Sequence, residues 1–225
     1  MSDGRRAIFD AIKSALGEAT ADKARRLAVA ERLRSPPRHP VPARARKAPG
    51  DLRAQFCAYL EGQAATVVPV ATLADVPAAV SDYLRQKNLP QCVRVGSDAR
   101  LAALPWPAQP GLERRPGPAK SNDETGLSHA CAGVSETGTL VLVSGPENPV
   151  TINFLPETHI VVLSATDIVG AYEDAWDKIR ATYGKRVMPR TVNFISGPSR
   201  TADIASQLVM GAHGPRRLCV IVVGP

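Results

Sequence analysis

The chain has 225 residues, 44% of them hydrophobic and 22% charged, which leaves room for one sizeable α/β domain or two small ones and excludes a disordered or fibrous chain. No apolar run approaches the roughly 20 residues of a membrane helix, and Asp10 and Lys13 interrupt the N-terminus where a secretory signal needs a continuous apolar stretch. The expectation is a cytoplasmic protein with no membrane partner.

The formal charge of +7 is carried by residues 1–50, because residues 51–225 hold as many acidic as basic side chains. Within the first segment, residues 5–34 predict helix, with Ile8, Ile12, Ala15 and Leu16 on one face and Leu27, Ala30 and Leu33 continuing after a break at Gly17–Thr20. Residues 35–50, with prolines at 36, 37, 40, 42 and 49, predict an extended linker. Residues 1–50 are therefore read as a basic helical arm and a Pro/Arg-rich linker, and residues 51–225 as the folded body. Such an arm can touch phosphates. Aromatic residues are only 4% of the chain, too few for a base-stacking surface, which argues against a nucleic-acid partner.

The body opens with a helix over Asp51–Glu61, presenting Leu52, Phe56, Tyr59 and Leu60 on one face. A strand over Ala64–Val70 follows. Next comes a helix over Val76–Gln86, capped by the Asp75 side chain and with Pro77 in its first turn. Cys92–Val95 predicts a strand closed by Gly96, and Leu104–Pro118 a loop or edge. Ala132–Val134 and Thr139–Val143 read as strands around a Ser135–Gly138 turn, Ile160–Ser164 as a strand and Val169–Thr182 as a helix. Thr191–Ile195 reads as a strand, Thr201–Leu208 as the start of a helix and Leu218–Val223 as a terminal strand. The alternation predicts an α/β fold, a mainly parallel sheet with helices on both faces. Near-continuous apolar strands such as Val220–Val223 suit a sheet covered on both sides.

Three groups of residues could carry chemistry. Ser196, Gly197, Ser199, Arg200 and Thr201 stand between a strand and an expected helix, where hydroxyls, free N–H groups and a forked cation would suit a phosphate or carboxylate. The same residues also make an ordinary capped connection, with Arg200 paired to Asp203. Glu136 stands in a turn between two apolar strands, as a nucleophile or base or as the solvated acid of a plain hairpin. His159 enters a strand, and His213, between Gly211 and Gly214, could approach a ligand closely. The loop Asn122–Glu124 is polar and acidic. Cys57, Cys92, Cys131 and Cys219 form no C-x-x-C pair, and the four histidines show no H-E-x-x-H spacing, so no metal or other cofactor is expected on this chain's own residues. Dinucleotide, Walker A and G-x-S-x-G patterns are absent.

Three segments, Gly126–Leu140, Phe194–Ile204 and Gly211–Leu218, resemble the signature of the LUD-domain family in the family's order, and the basic helix with its Pro/Arg stretch is similar to the lactate utilisation protein C branch. The resemblance implies a fold like ribose-5-phosphate isomerase and the CoA transferases. It also implies membership in a system that oxidises L-lactate to pyruvate. This chain would be its cluster-free accessory or regulatory subunit, with a pocket for a small anionic ligand. Its partners would be the iron–sulfur-carrying subunits of a lactate oxidation complex. Ser135-Glu136-Thr137-Gly138 is also similar to the turn that bears the glutamate nucleophile of CoA transferases. That keeps open a different function, a stand-alone acyl-CoA or sugar-phosphate enzyme using Glu136.

Overall fold

The computed structural model describes residues 3–17, 22–35, 38–184, 187–204 and 207–224. Its contacts divide the chain into two units, Met1–Pro40 and Val41–Pro225. The first unit holds α1 (Asp3–Leu16) and α2 (Lys23–Arg34). Gly17, with φ of +59°, ends α1, and the Asp22 side chain caps α2 by accepting from Ala24 N at 2.8 Å and Arg25 N at 3.4 Å.

The second unit begins inside the expected linker. Ala43–Ala45 form a short 3₁₀ turn, and Pro49 opens α3 (Pro49–Gly62) in its first turn. The elements that follow are β1 (Thr66–Val70), α4 (Val76–Gln86), β2 (Cys92–Val95), α5 (Ala99–Ala102) and β3 (Glu113–Pro116). After them come β4 (Thr125–His129), β5 (Ala132–Val134), β6 (Thr139–Val143), α6 (Val150–Phe154), β7 (Thr158–Ser164) and β8 (Ile168–Val169). The chain closes with α7 (Tyr172–Tyr183), β9 (Val192–Ile195), β10 (Arg200–Ile204), β11 (Gln207–Met210) and β12 (Arg217–Val223).

Six strands form one sheet in the order β1-β12-β7-β4-β2-β3, and every pairing in it is parallel. A four-stranded sheet runs β8-β5-β6-β9, and β10 pairs antiparallel with β11. The side-chain period of two sorts the central strands between two cores. Ile160, Val162, Cys219, Ile221 and Val223 face Val80, Tyr83 and Leu84 of α4. Val161, Leu163, Leu218, Val220 and Val222 face Phe56 and Leu60 of α3 and Leu140 and Leu142 of β6. One face of the parallel sheet thus carries helices, and the other carries α3 together with the second sheet. A third cluster, Ala132, Val134, Val141, Ala175 and Ile179, seats α7 on the outer side of that second sheet.

Two sequence expectations are corrected. The Asp75 side chain does not cap α4; it turns back to accept from Thr72 N at 2.9 Å and Thr72 Oγ1 at 2.8 Å. The stretch from Thr201 is not helical. Ser199 N donates to Pro215 O and Ser199 O accepts from Gly211 N, both at 2.8 Å, and these bonds hold the chain extended into the β10–β11 pair. With no helix there, the helix N-terminus expected beside Arg200 does not exist. The central strand β4 has no counterpart among the strands read from the sequence, because Gly126, Ser128 and His129 dilute its apolar pattern.

Candidate functional site

A cavity of about 240 Å³ opens where β9 ends and β7 and β12 begin, with α6 beside it. It lies at the amino ends of those two parallel strands, opposite the edge where open α/β sheets usually take ligands. Its lining includes Ser196, Gly197 and Ser199, His213 and Gly214, and Asn153 and His159, with Phe154, Phe194 and Leu218 among the apolar residues. No Lys or Arg lines it among the described residues.

The small lining residues are held by close backbone approaches. A Cβ on Gly197 would come within 2.9 Å of Gln63 Cβ at the end of α3, so only glycine lets this turn lie against the helix. Ser199 Oγ accepts from His213 N at 3.3 Å, which ties the two lining segments together. Ser196 Oγ lies 2.7 Å from Thr139 Oγ1, which in turn contacts Tyr172 Oη at 3.0 Å and Thr137 Oγ1 at 2.7 Å. A chain of hydroxyls therefore runs from the Glu136 turn to the cavity wall.

Glu136 itself is not on that wall. It is 7% exposed and its Oε2 lies 3.9 Å from Arg44 Nη2. Its turn is fastened to α3, with Ser135 Oγ donating to Leu52 O at 2.7 Å and Gln55 Nε2 donating to Ser135 O at 3.1 Å. Gly138, with φ of +64°, packs where a Cβ would fall 2.6 Å from Tyr59 Cβ. Arg200 and Thr201 also lie outside the cavity lining, and the Arg200 guanidinium donates to Gln63 Oε1. The structure thus gathers Ser196, Gly197, Ser199 and His213 and leaves Glu136, Arg200 and Thr201 apart.

Two buried polar side chains lie beside the cavity; the sequence singles out His159 but not Asn153. Asn153, in α6, is 0% exposed, and neither its Oδ1 nor its Nδ2 has a hydrogen-bond partner. His159 is 1% exposed; its Nε2 lies 2.5 Å from Ser128 Oγ, and its Nδ1 has no partner. Burial pushes the His159 pKa down to about 3, so the imidazole is neutral at physiological pH. The only sequence signal for Asn153 is one amide in the mostly apolar run Val150–Leu155, where Thr151 is the other polar residue.

Away from the cavity, buried ionisable groups show the mark of their surroundings. Asp123, in the loop 122–124, receives Arg94 at 2.8 and 3.0 Å and Lys120 N at 2.7 Å, and the guanidinium holds its carboxyl below the usual range. His129, at the opposite end of β4, is pushed down to about 4 by burial and then by Arg100, while Asp98 and Asp167 pull the other way. Burial raises all four thiols, Cys131 to about 11 and Cys219 to about 12, so none is a ready thiolate. Among the described residues no helix is long and apolar enough to cross a membrane.

Residues 121–223 match the family model of the LUD domain. An uncharacterised protein of Neisseria meningitidis is 37% identical over 105 residues, covering 47% of this chain and 44% of that protein. Lactate utilization protein C of Bacillus subtilis is 34% identical over 119 residues, 52% of this chain and 49% of that protein. The same-named protein of Geobacillus thermodenitrificans is 35% identical over 127 residues, 52% of this chain and 53% of its own length. The chain therefore spans about half the length of the curated relatives it matches. The crystal structure of a DUF162-family protein from Deinococcus radiodurans superposes with a TM-score of 0.60 at 22% identity, over 79% of this chain and 99% of that one, and shows the shared fold.

Proposed function

We propose that this chain, whose residues 121–223 match the family model of the LUD domain, is a component of an L-lactate utilisation system, a cluster-free accessory or regulatory subunit with a pocket for a small anion. The observation that carries this reading is spatial. Every residue lining the cavity, from Asn153 to Leu218, falls inside the stretch that matches the family. The relatives named for lactate utilisation support the system. The iron–sulfur clusters that carry electrons away from lactate would belong to partner subunits. Within the cavity, Ser196, Gly197, Ser199 and His213 supply its polar walls. Arg200 and Thr201 act one layer out, on the turn that shapes those walls.

The test is genetic. A strain lacking this gene should fail to grow on L-lactate as sole carbon source, grow normally on another, and recover with the gene supplied in trans. Wild-type growth of the deletion strain on L-lactate sinks the reading. The competing function, an acyl-CoA or sugar-phosphate enzyme, would use Glu136. It predicts turnover by the isolated chain and a trappable adduct on that carboxylate. The burial of Glu136 against Arg44, away from the cavity, weighs against it.

A further inference from the structure

We propose that the basic helical unit at the start of the chain binds the surface of an anionic lipid bilayer, with α1 lying in the interface on its apolar face. Ile8, Ile12 and Leu16 follow one another at intervals of four residues along α1, with Phe9 beside them. That spacing puts them on one stripe of the helix. The four side chains are between 48% and 62% exposed. Residues 4–16 of α1 and all of α2 are exposed as well, so within this unit nothing covers the stripe. Apolar surface left in water this way is costly and calls for a partner.

The charges are sorted around the stripe. Arg6 and Lys13, about two turns apart, stand along one flank of it, and Asp10 falls on the side away from it. The Arg5 guanidinium lies over the Phe9 ring, 5.6 Å from its centroid. Cations bordering an apolar stripe suit a helix in a headgroup layer. Their long side chains reach the phosphates while the stripe enters the acyl boundary.

α2 decides between lipid and other anionic partners. It carries Lys23, Arg25, Arg26, Arg32 and Arg34 against Glu31. These cations share no face: Lys23 and Arg34 stand on one side of the helix, Arg25 and Arg32 on the opposite one. A groove on an acidic protein reads one face of a helix. A charged bilayer acts through a potential that extends about 8 Å at physiological ionic strength, and so attracts cations on every side. Nucleic acid has a similar reach but offers nothing to Ile8, Ile12 and Leu16. A second copy of this chain would set like charge against like. The expectation of no membrane partner rests on the lack of a spanning run, and a helix lying in the interface needs none.

Sedimentation of the full chain with vesicles tests the proposal, independently of growth on L-lactate. Vesicles of phosphatidylcholine and phosphatidylglycerol in equal parts should carry the protein down, and vesicles of phosphatidylcholine alone should not. The difference should shrink as salt is raised. Replacing both Ile8→Ser and Ile12→Ser should weaken binding to the anionic vesicles at least about 10-fold, because it strips apolar area from the interface. Isoleucine and serine have similar helix propensity, so the pair spares α1 itself, and circular dichroism checks this. Lys23→Gln with Arg25→Gln should weaken binding about 30-fold, at about 5-fold for each cation near the surface. No binding to the anionic vesicles overturns the proposal. So does equal binding to both kinds of vesicle. Binding unmoved by the serine pair overturns it too, since charge alone would then be the cause. Retention on duplex DNA that survives the serine pair, without vesicle binding, gives this unit to nucleic acid instead.

Discussion

At the scale of single residues, two buried histidines dominate how the protein responds to acid. His159 and His129 are neutral in the folded chain, with pKa values pushed down to about 3 and about 4, whereas an unfolded histidine titrates near 6.5. Below about pH 6.5 the unfolded chain therefore binds protons that the folded chain refuses. Stability must fall as pH drops from about 6.5 toward the folded values. Between pH 7 and 5 each histidine contributes a loss of up to about 2 kcal/mol. Urea denaturation at the two pH values should show this loss, and His159→Gln should remove about half of it. A flat pH dependence would mean that the imidazoles are solvated. Burial was also what hid the site from the sequence. Ser196, Gly197, Ser199 and His213 announced themselves as polar punctuation around apolar strands and do line the cavity. Asn153 carries no such mark, because its significance lies in an orphaned amide that only the packed structure reveals. Arg200 failed in the opposite way. Its role was inferred from a helix that is not there, and its guanidinium instead meets Gln63.

At the scale of elements, the approach of α6 to β4 sets the floor of the cavity. Gly126 makes it possible: a Cβ there would lie 2.5 Å from Ile152 O and 2.8 Å from Ile152 Cγ2, one residue before Asn153. Gly126→Ala must push the backbone of α6 outward, since the nearest atom is a carbonyl oxygen. It should cost about 1–3 kcal/mol and displace the Asn153 amide. Chemical denaturation of the variant should report the change, and a wild-type midpoint would show that α6 moves freely. The elements that could be read from sequence are those with strong periodicity. The strand over Cys92–Val95 and the hairpin strands over Ala132–Val134 and Thr139–Val143 stand where the apolar pattern puts them. β4 is fully buried at the centre of a parallel sheet, where neighbours on both sides supply its stability and its own sequence need not alternate. Residues 201–208 carry Ile204 and Leu208 at helical spacing, but the bonds of Ser199 to Pro215 and Gly211 fix the backbone extended before any helix can start. Tertiary pairing overrides local propensity there.

At the scale of the whole molecule, the question is where the folded body begins. The proline-rich stretch reads as a linker up to residue 50, yet from Val41 onward it belongs to the second unit. Ala45 is buried, and its carbonyl oxygen sits 2.0 Å from where a Cβ on Gly170 would be, a contact only glycine at 170 permits. Arg44 O accepts from Gln55 Nε2 at 3.0 Å, the same amide that holds the Ser135 turn. Pro49 starts α3 with its φ already set for the helix. We therefore expect residues 41–225 to fold without the basic helices, with an unfolding midpoint in urea equal to that of the full chain. A chain starting at residue 51 loses the Arg44 and Ala45 contacts and the proline start of α3. It should be less stable by about 1–3 kcal/mol, with the turn around Glu136 loosened first, because Gln55 no longer bridges it to residue 44. Hydrogen exchange of the 133–138 amides would register that loosening. Equal midpoints for the two truncations would return residues 41–50 to the status of a tether, and an unfolded 41–225 chain would make the basic helices part of the core.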